Sequence, residues 1–314
     1  MKSINNSHSK FAGVDYLGLA YAIGAALLFS FKPILVKLIY QYDVPTMTVL
    51  AWRSLLAAPI YLVVGLVMLA NNNQGLSLLL RQKSLLIPTM LIGVVGYYGA
   101  AFLDLYGLNF ISAQLERLIL FTYPTIVAVL AWVIYKRRLT STAIAALLIS
   151  YIGIAVLFIN DWQSAGDHVV IGSIAVFLAA VAFSLYVVLG KPFIDKVGGK
   201  PFTVLAMLSS GVVVLLHFLL QHSIEHLIIP MPAWWLILLM SVFSTVLPSF
   251  MLAAAIGRIG PDQTAITGTL GPVATSVLAV FLLNEAFGVP HVISLVCVLL
   301  SVFIMQRKRN RLPI

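Results

Sequence analysis

Charged residues are scarce in this chain of 314 residues. Lysine, arginine, aspartate and glutamate together make up 9% of it, whereas a soluble globular protein carries about 25%. The hydrophobic share is correspondingly high, at 61%. This composition excludes an ordinary soluble domain and predicts an all-α integral membrane protein with several spanning helices.

Cysteine and the common catalytic motifs are also lacking. Cys297 is the only cysteine, so no intramolecular disulfide can form, and its place in an apolar run indicates packing. No spacing of histidine, cysteine and aspartate suits a metal, and the G-x-S-x-G, P-loop and H-E-x-x-H motifs are missing. We therefore expect no metal, no cofactor and no enzymatic activity. Rings of like charge and filter loops, which are typical of channels, are missing too.

Long apolar runs, by contrast, recur along the whole chain. A run of about 20 residues is long enough to cross a bilayer, and ten such runs are separated by polar turns. The weakest boundary is Leu108–Ile111, and counts of nine or eleven would require merging or splitting a run. The ten predicted segments are 17–38, 44–70, 84–108, 111–134, 140–158, 169–190, 200–220, 233–256, 262–283 and 289–306.

The positive charges are unevenly distributed among the loops. The chain has 19 lysines and arginines and a net charge of +9. With a cytoplasmic N-terminus, nearly all loop cations fall on the cytoplasmic side and Lys37 alone on the other, as the positive-inside rule requires. This explains the basic charge without nucleic acid. Both termini are predicted to be cytoplasmic, with tails formed by residues 1–16 and 307–314.

The two halves of the chain resemble each other. The matches keep their order and have shifts of 155, 154 and 148 residues: TVLA at 48–51 and 203–206, AALLFS at 25–30 with AAVAFS at 179–184, and YPTIVAVLA at 123–131 with GPVATSVLA at 271–279. We interpret residues 17–160 and 169–306 as two five-helix repeats, inverted because five is odd. Inverted repeats are typical of secondary transporters, which bind substrate near the membrane midplane. A duplicated scaffold without transport activity is the alternative.

Five charged residues nevertheless lie inside the apolar segments and away from the segment ends, all in the outer half of the first four: Lys32, Arg53, Asp104, Glu116 and Arg117. An ionisable residue in the membrane interior costs roughly 2.5 to 3.5 kcal/mol, so such residues usually pair with one another or line a pathway. We expect the five to meet in a cavity. Their counterparts in the second repeat are uncharged: Tyr186, Leu208, Leu252, Thr264 and Ala265.

Two interpretations of these charges remain open. In the first, Asp104 and Glu116 neutralise Arg53 and Arg117 in a structural network, while Lys32 extends towards the outer surface. In the second, the surplus cation binds an anionic group of a substrate, such as a carboxylate, with Lys32 as first choice and Arg117 as second. Glu116 or Asp104 could bind a coupling proton in exchange for substrate, unless Arg117 pairs permanently with Glu116.

Tyrosines and prolines complete the predicted site. Tyr98 and Tyr186 lie deep in their segments, so we select them as pocket lining rather than as part of an interfacial belt. Pro124 and Pro272 occupy matching repeat positions and are the predicted hinges, although kinks that only improve packing are equally compatible. The predicted substrate-binding set is Lys32, Arg53, Tyr98, Glu116, Arg117 and Tyr186.

Two stretches resemble a known family. IGRIGPDQTAITGTLGPVATSVLAVFLLNEAFG, residues 256–288, is similar to the second-repeat signature of the EamA family in the drug/metabolite transporter superfamily. The likeness rests on its GP turn, the proline in the following helix and the helix-exit Glu285, which we interpret as structural. YGLNFISAQLERLILFTYPTIVAVLAWVIYKRRLT, residues 106–140, resembles the first repeat, although Arg137 replaces the exit glutamate and Glu116 with Arg117 is added.

The resemblance spans nearly the whole chain and implies ten helices in two inverted five-helix repeats, in a prokaryotic plasma membrane. Relatives of this kind carry amino acids, other metabolites or drugs. Small multidrug exporters of the superfamily rely on a first-helix glutamate, and Lys32 stands in the first helix here, which favours a carboxylate-bearing metabolite over a cationic drug.

These observations together predict an alternating-access secondary transporter that exports an amino acid or related carboxylate. Its expected partners are the small-molecule substrate and the lipid bilayer, without nucleic acid, and its expected state is a monomer or homodimer. A non-transporting sensor or assembly protein and a lipid-carrier flippase are the alternatives.

Overall fold

The fold is helical throughout the part of the chain that can be described. The computed structural model describes residues 15–136, 141–268 and 270–307, and these ranges contain no β-strand. The predicted all-α class is therefore confirmed. The α-helices are α1 Tyr16–Tyr40, α2 Thr46–Ala70, α3 Gln74–Arg81, α4 Lys83–Gly93, α5 Ala100–Gly107, α6 Ala113–Leu120, α7 Tyr123–Tyr135, α8 Ser141–Ala165, α9 His168–Val197, α10 Gly199–Gln221, α11 Met231–Ser241, α12 Leu247–Thr267, α13 Leu270–Leu283 and α14 Val289–Arg307.

Seven helical stretches of the described residues are long and apolar enough to cross a membrane: Tyr16–Tyr40, Thr46–Ala70, Lys83–Gly107, Ala113–Ile134, His168–Val197, Gly199–Gln221 and Met231–Ile259. Three shorter apolar helices are Leu148–Gln163, Leu270–Leu283 and Val289–Ser301. The chain is thus a multi-pass membrane protein. These three stretches, which lie in α8, α13 and α14, are shorter than the roughly 20 residues that a span needs, so the count of ten stays a prediction.

The fourth predicted segment, 111–134, consists of two helices. The chain turns at Phe121 and Thr122, between α6 and α7. Pro124 lies in the first turn of α7, where its missing N–H would have no intrahelical partner in any case. The hydroxyl of Thr122 donates to the Ile119 carbonyl oxygen at 2.7 Å, so the side chain helps to close the turn.

The ninth predicted segment begins in the wrong place. It was expected to start at residue 262, but α12 continues to Thr267 and the next helix begins at Leu270. α12 packs along α1, with Met251 beside Gly24 and Ile259 beside Gly18. Arg258, which was expected in a loop, therefore lies in α12 and forms an ion pair with Asp15 at 3.1 Å. The backbone N–H of Gly18 donates a hydrogen bond to the Asp15 carboxylate. This hydrogen bond lowers the pKa of the Asp15 carboxyl group.

Two π-helical segments interrupt the third and eighth apolar segments. The first, Val94–Gly99, joins α4 to α5, and the second, Val242–Val246, joins α11 to α12. They begin 148 residues apart, which is one of the shifts found between the repeat matches. Segments of this kind are frequent at functional sites because they disturb the regular helical hydrogen bonding. The sequence pattern did not predict them.

The helices of the two halves pack in corresponding ways. α1 packs against α12 and α13, and α9 packs against α5 and α7. A Cβ atom on Gly18 would lie 2.6 Å from Cγ2 of Ile259, and one on Gly172 would lie 2.7 Å from Cγ2 of Ile111. Glycine is therefore required for both close approaches. The two glycines are 154 residues apart and the two isoleucines 148.

Candidate functional site

Three of the predicted site residues meet where α1, α5 and α6 come together. The ammonium group of Lys32 forms an ion pair with the Asp104 carboxylate, and it lies 3.6 Å from Oε1 of Glu116. The side chain of Glu116 is fully buried, that of Asp104 is 2% exposed, and that of Lys32 is 15% exposed. One positive charge is thus shared by two carboxyl groups in the interior of the helix bundle.

The start of α6 fixes the position of Glu116. Ser112 caps this helix, and its hydroxyl oxygen accepts the N–H of Leu115 at 3.0 Å. Glu285, at the exit of α13, accepts the N–H of Ala113 at 2.8 Å and that of Gln114 at 3.3 Å. A carboxylate at a helix N-terminus is favourable because it accepts otherwise unpaired N–H groups. These contacts support the structural interpretation of Glu285.

Several buried polar atoms of this site have no hydrogen-bond partner. Both carboxyl oxygens of Glu116, Oδ1 of Asp104 and Nε of Arg117 are in this position. The 3.6 Å between Lys32 and Glu116 is too long for a hydrogen bond. A buried polar group that lacks a partner costs about 1 to 3 kcal/mol, and more if it is charged. These atoms therefore keep unused hydrogen-bonding capacity in the interior of the helix bundle.

Arg117 does not pair with its neighbour Glu116. Consecutive residues of an α-helix point about 100° apart, so Glu116 faces α1 and Arg117 faces α13. A Cβ atom on Gly271 would lie only 2.5 Å from Nη2 of Arg117, which shows that the guanidinium lies against that glycine. A permanent pair with Arg117 would prevent Glu116 from exchanging a proton. This arrangement contains no such pair.

In the first of the two open interpretations the two acids neutralise the two arginines, and the described part of the structure does not contain these pairs. Among the side chains described by the structure, no carboxylate oxygen lies within 4.0 Å of Arg53 or Arg117. The ammonium group of Lys32 contacts Asp104, and the extension of Lys32 towards the outer surface stays a prediction. Arg53 and Arg117 do lie within electrostatic reach of Asp104.

Arg53 lines a small cavity between α2 and α10. The cavity has a volume of about 10 Å³, and its wall includes Tyr61, Ser210 and Thr245. Such a volume accommodates roughly one water molecule. Thr245 belongs to the second π segment, so the cavity adjoins one of the two irregular helical stretches.

The two selected tyrosines lie in different surroundings. The hydroxyl of Tyr98 is 2.7 Å from Nδ1 of His217, on α10, and the ring is half-buried. Tyr186 is buried, and its hydroxyl is 3.3 Å from that of Tyr97. Tyr97 belongs to the first π segment and was not selected from the sequence. Tyr97 and Tyr98 are adjacent and identical in type, so the sequence does not show which of the two rings lies next to Tyr186.

The sequence analysis also missed the polar contacts that join α1 to α13. The hydroxyl of Ser30 donates to the Gly271 carbonyl oxygen at 3.1 Å, and that of Thr275 donates to the Ser30 carbonyl oxygen at 3.2 Å. Pro272 lies beside these contacts, in the first turn of α13. Small polar residues in otherwise apolar helices were the available signal, because such residues commonly join membrane helices.

Comparison with known proteins identifies the family. The family described as "EamA: EamA-like transporter family" matches residues 16–159 and, a second time, residues 170–307. The chain belongs to the EamA-like transporter family. The resemblance inferred from the sequence is thereby confirmed, and EamA membership, together with the apolar helices, identifies a multi-pass membrane transporter.

EamA relatives and a solved structure agree with this assignment. The chain is similar to two proteins of Bacillus subtilis (strain 168). It is 25% identical to "Uncharacterized transporter YcbK" over 88% of each chain, and 27% identical to "Uncharacterized transporter YyaM" over 80% of this chain and 81% of that one. A structure described as "Crystal structure of protein" has a TM-score of 0.68, covering 94% of this chain and 98% of that one at 17% identity, which shows a shared fold.

Proposed function

We propose that this EamA-family protein is an alternating-access secondary transporter that exports amino acids or related carboxylates across a prokaryotic plasma membrane. The observation that carries the proposal is the surplus of buried positive charge. Lys32 engages both acids, and Arg53 and Arg117 have no carboxylate within 4.0 Å among the described side chains. Because a buried charge is costly unless it is paired, an anionic solute is a suitable partner for these arginines.

Arg117 is the preferred residue for the substrate carboxylate. The residue is 9% exposed and its Nε lacks a partner, and a guanidinium can bind a carboxylate through two parallel hydrogen bonds. Arg53 and Lys32 contribute further positive charge to the site. The carboxylate of Glu116 offsets part of this positive charge. Tyr98 and Tyr186 remain the proposed lining for the substrate's side chain.

The proposed architecture is two inverted five-helix repeats, residues 17–160 and 169–306, with both termini in the cytoplasm. Three features support it: the family match occurs twice, the π segments begin 148 residues apart, and Gly18 with Ile259 corresponds to Gly172 with Ile111. Transporters of this architecture alternate access by moving one repeat against the other. Pro124 and Pro272 are the proposed hinges, and a cavity as small as that beside Arg53 must enlarge to admit a solute.

Substrate counterflow in proteoliposomes tests the proposal. The probes are labelled L-amino acids and short-chain carboxylates, set beside amines of the same carbon skeleton. We expect carboxylate-bearing probes to exchange, amines not to exchange, and Arg117→Gln to reduce exchange at least about tenfold, the equivalent of 1.4 kcal/mol.

The matched control is Arg258→Gln, which removes an exposed cation paired with Asp15 and should leave counterflow unchanged. Equal movement of amines and carboxylates, or wild-type behaviour of a well-folded Arg117→Gln protein, would overturn the proposal. Protein-free liposomes measure passive leakage of each probe.

A further inference from the structure

The carboxyl groups of Asp104 and Glu116 exceed the positive charge that contacts them. Lys32 forms its ion pair with Asp104 and is only near Glu116, at 3.6 Å. One ionised carboxylate is enough to balance one ammonium group. The second carboxyl group, that of Glu116, is fully buried and does not accept a hydrogen bond. An ionised Glu116 would therefore be a costly buried charge.

Protonation of Glu116 removes this cost. A protonated carboxyl group becomes a hydrogen-bond donor, and the carboxyl group of Asp104 faces the same Lys32 ammonium group as that of Glu116. Oδ1 of Asp104 is itself a buried acceptor without a donor. A single proton between the two groups gives Asp104 a donor and neutralises Glu116, while Lys32 balances the remaining negative charge. Two carboxyl groups at close range commonly share one proton for this reason.

The elements packed near Glu116 differ in the charged and titratable groups that they contribute. α13 contains no titratable residue, and α9 contacts α6 through the apolar Val169 and Val176. The charged or titratable groups are Lys32 and Lys37 on α1, Asp104 on α5, Arg117 on α6 itself, Arg53 on α2 within electrostatic reach of Asp104, Glu285 just after α13 at the start of α6, Asp161 on α8 next to Ser112, and His291 on α14 near Asp161. None of these replaces Asp104 as a direct partner for a Glu116 proton.

We propose that Glu116 binds the coupling proton of this transporter and shares it with Asp104 beside Lys32, while the substrate anion binds separately at Arg117. The inference rests on the function proposed above. It also assigns a new task to Lys32: this residue tunes the carboxyl pair instead of making the first contact with the substrate. The different directions of Glu116 and Arg117 on α6 separate the two binding events.

This separation decides how proton and solute are coupled. If both competed for one group, binding of one would release the other, as in the exchange considered from the sequence. Here an anion at Arg117 neutralises a nearby positive charge that favours ionised Glu116, so anion binding strengthens proton binding, and the effect is reciprocal. Proton and anion therefore move in the same direction. Export then follows the outward gradient of the solute, and a proton leaves with each anion.

Accumulation driven by a pH gradient tests this inference in proteoliposomes. The probe is whichever labelled amino acid or carboxylate gives the largest wild-type counterflow. With the outside one pH unit more acidic, wild type should accumulate the probe inside, up to about tenfold for one proton per solute. Glu116→Gln should lose this accumulation when it is measured relative to the variant's own counterflow, and Glu116→Asp should keep part of the accumulation because it keeps a carboxyl group.

The controls separate this inference from the transport proposal. Glu225→Gln, which changes an exposed acid, should behave as wild type, and the passive uptake of protein-free liposomes is subtracted. Absence of any wild-type counterflow would refute the transport function itself. Counterflow with an unchanged pH response in Glu116→Gln, or wild-type accumulation only when the inside is acidic, would refute the proton site and its direction while the transport function stands.

Discussion

Arg117 fits beside α13 because residue 271 has no side chain. The guanidinium occupies the space that a Cβ atom at this position would need, at 2.5 Å from Nη2. An arginine in the membrane interior thereby faces the end of α13 instead of the adjacent Glu116. The spacing of charges in the sequence could predict that the five residues share a region. It could not predict which cation pairs with which acid, since that depends on the rotation of α6 against α1 and α13.

Gly271→Ala tests the position of Arg117 at the scale of one methyl group. The new methyl group should push the flexible guanidinium away, while the helical backbone tolerates alanine well. We expect the KM for a transported carboxylate to rise about tenfold, equivalent to 1.4 kcal/mol, with little change in melting temperature. Gly257→Ala is the control, because no heavy atom lies within 4 Å of its Cβ position. Equal KM values for both variants in counterflow assays would show that Gly271 does not position Arg117.

At the scale of the helices, α6 is held in place by a residue from the other half of the chain. Glu285 accepts N–H groups from Ala113 and Gln114, and the side-chain amide of Gln114 donates to the Ala286 carbonyl oxygen at 3.0 Å. Glu285→Gln removes the negative charge from this helix N-terminus. Loss of a cap costs about 1 kcal/mol, and we expect a melting temperature about 2 °C lower in detergent. The exposed Glu225→Gln should show no decrease, and an equal decrease in both variants would contradict the capping role.

The elements also show how far the sequence predicted this molecule. Apolar runs of about 20 residues indicated every apolar helix, because helical length in a membrane follows from bilayer thickness. Helix ends and interruptions were harder to predict. α12 continues past residue 262 although Gly260 and Pro261 indicated a turn, and the π segment Val94–Gly99 has no compositional marker. The charged residues of the site were found from their cost in lipid, whereas the buried Ser30 and Thr275 were missed because their hydroxyl groups cost little.

At the scale of the whole molecule, similar packing in the two halves coexists with a one-sided distribution of charge. The Gly18–Ile259 contact and the Gly172–Ile111 contact correspond under the repeat shifts. The ion pair of Lys32, in contrast, has uncharged residues at its counterpart positions, Tyr186 and Leu252. A duplicated scaffold explains the first observation. The one-sided distribution of charge is expected if the residues that bind proton and substrate arose in one repeat only. The other repeat then contributes the movement that opens the binding site.

Inversion of the repeats makes a prediction about sidedness. Tyr42 and Lys196 are both exposed and lie 154 residues apart, Tyr42 just after α1 and Lys196 in the last turn of α9. Inverted repeats put these two positions on opposite faces of the membrane, with Tyr42 outside and Lys196 in the cytoplasm, whereas parallel repeats put both on the same face.

Cys297 is the only cysteine, so Cys297→Ala gives a cysteine-free background for labelling. A membrane-impermeant maleimide should label Tyr42→Cys in intact cells, and should label Lys196→Cys only in inside-out vesicles. Labelling of both variants from one face would exclude inversion, and with it the alternating-access mechanism argued from the two halves.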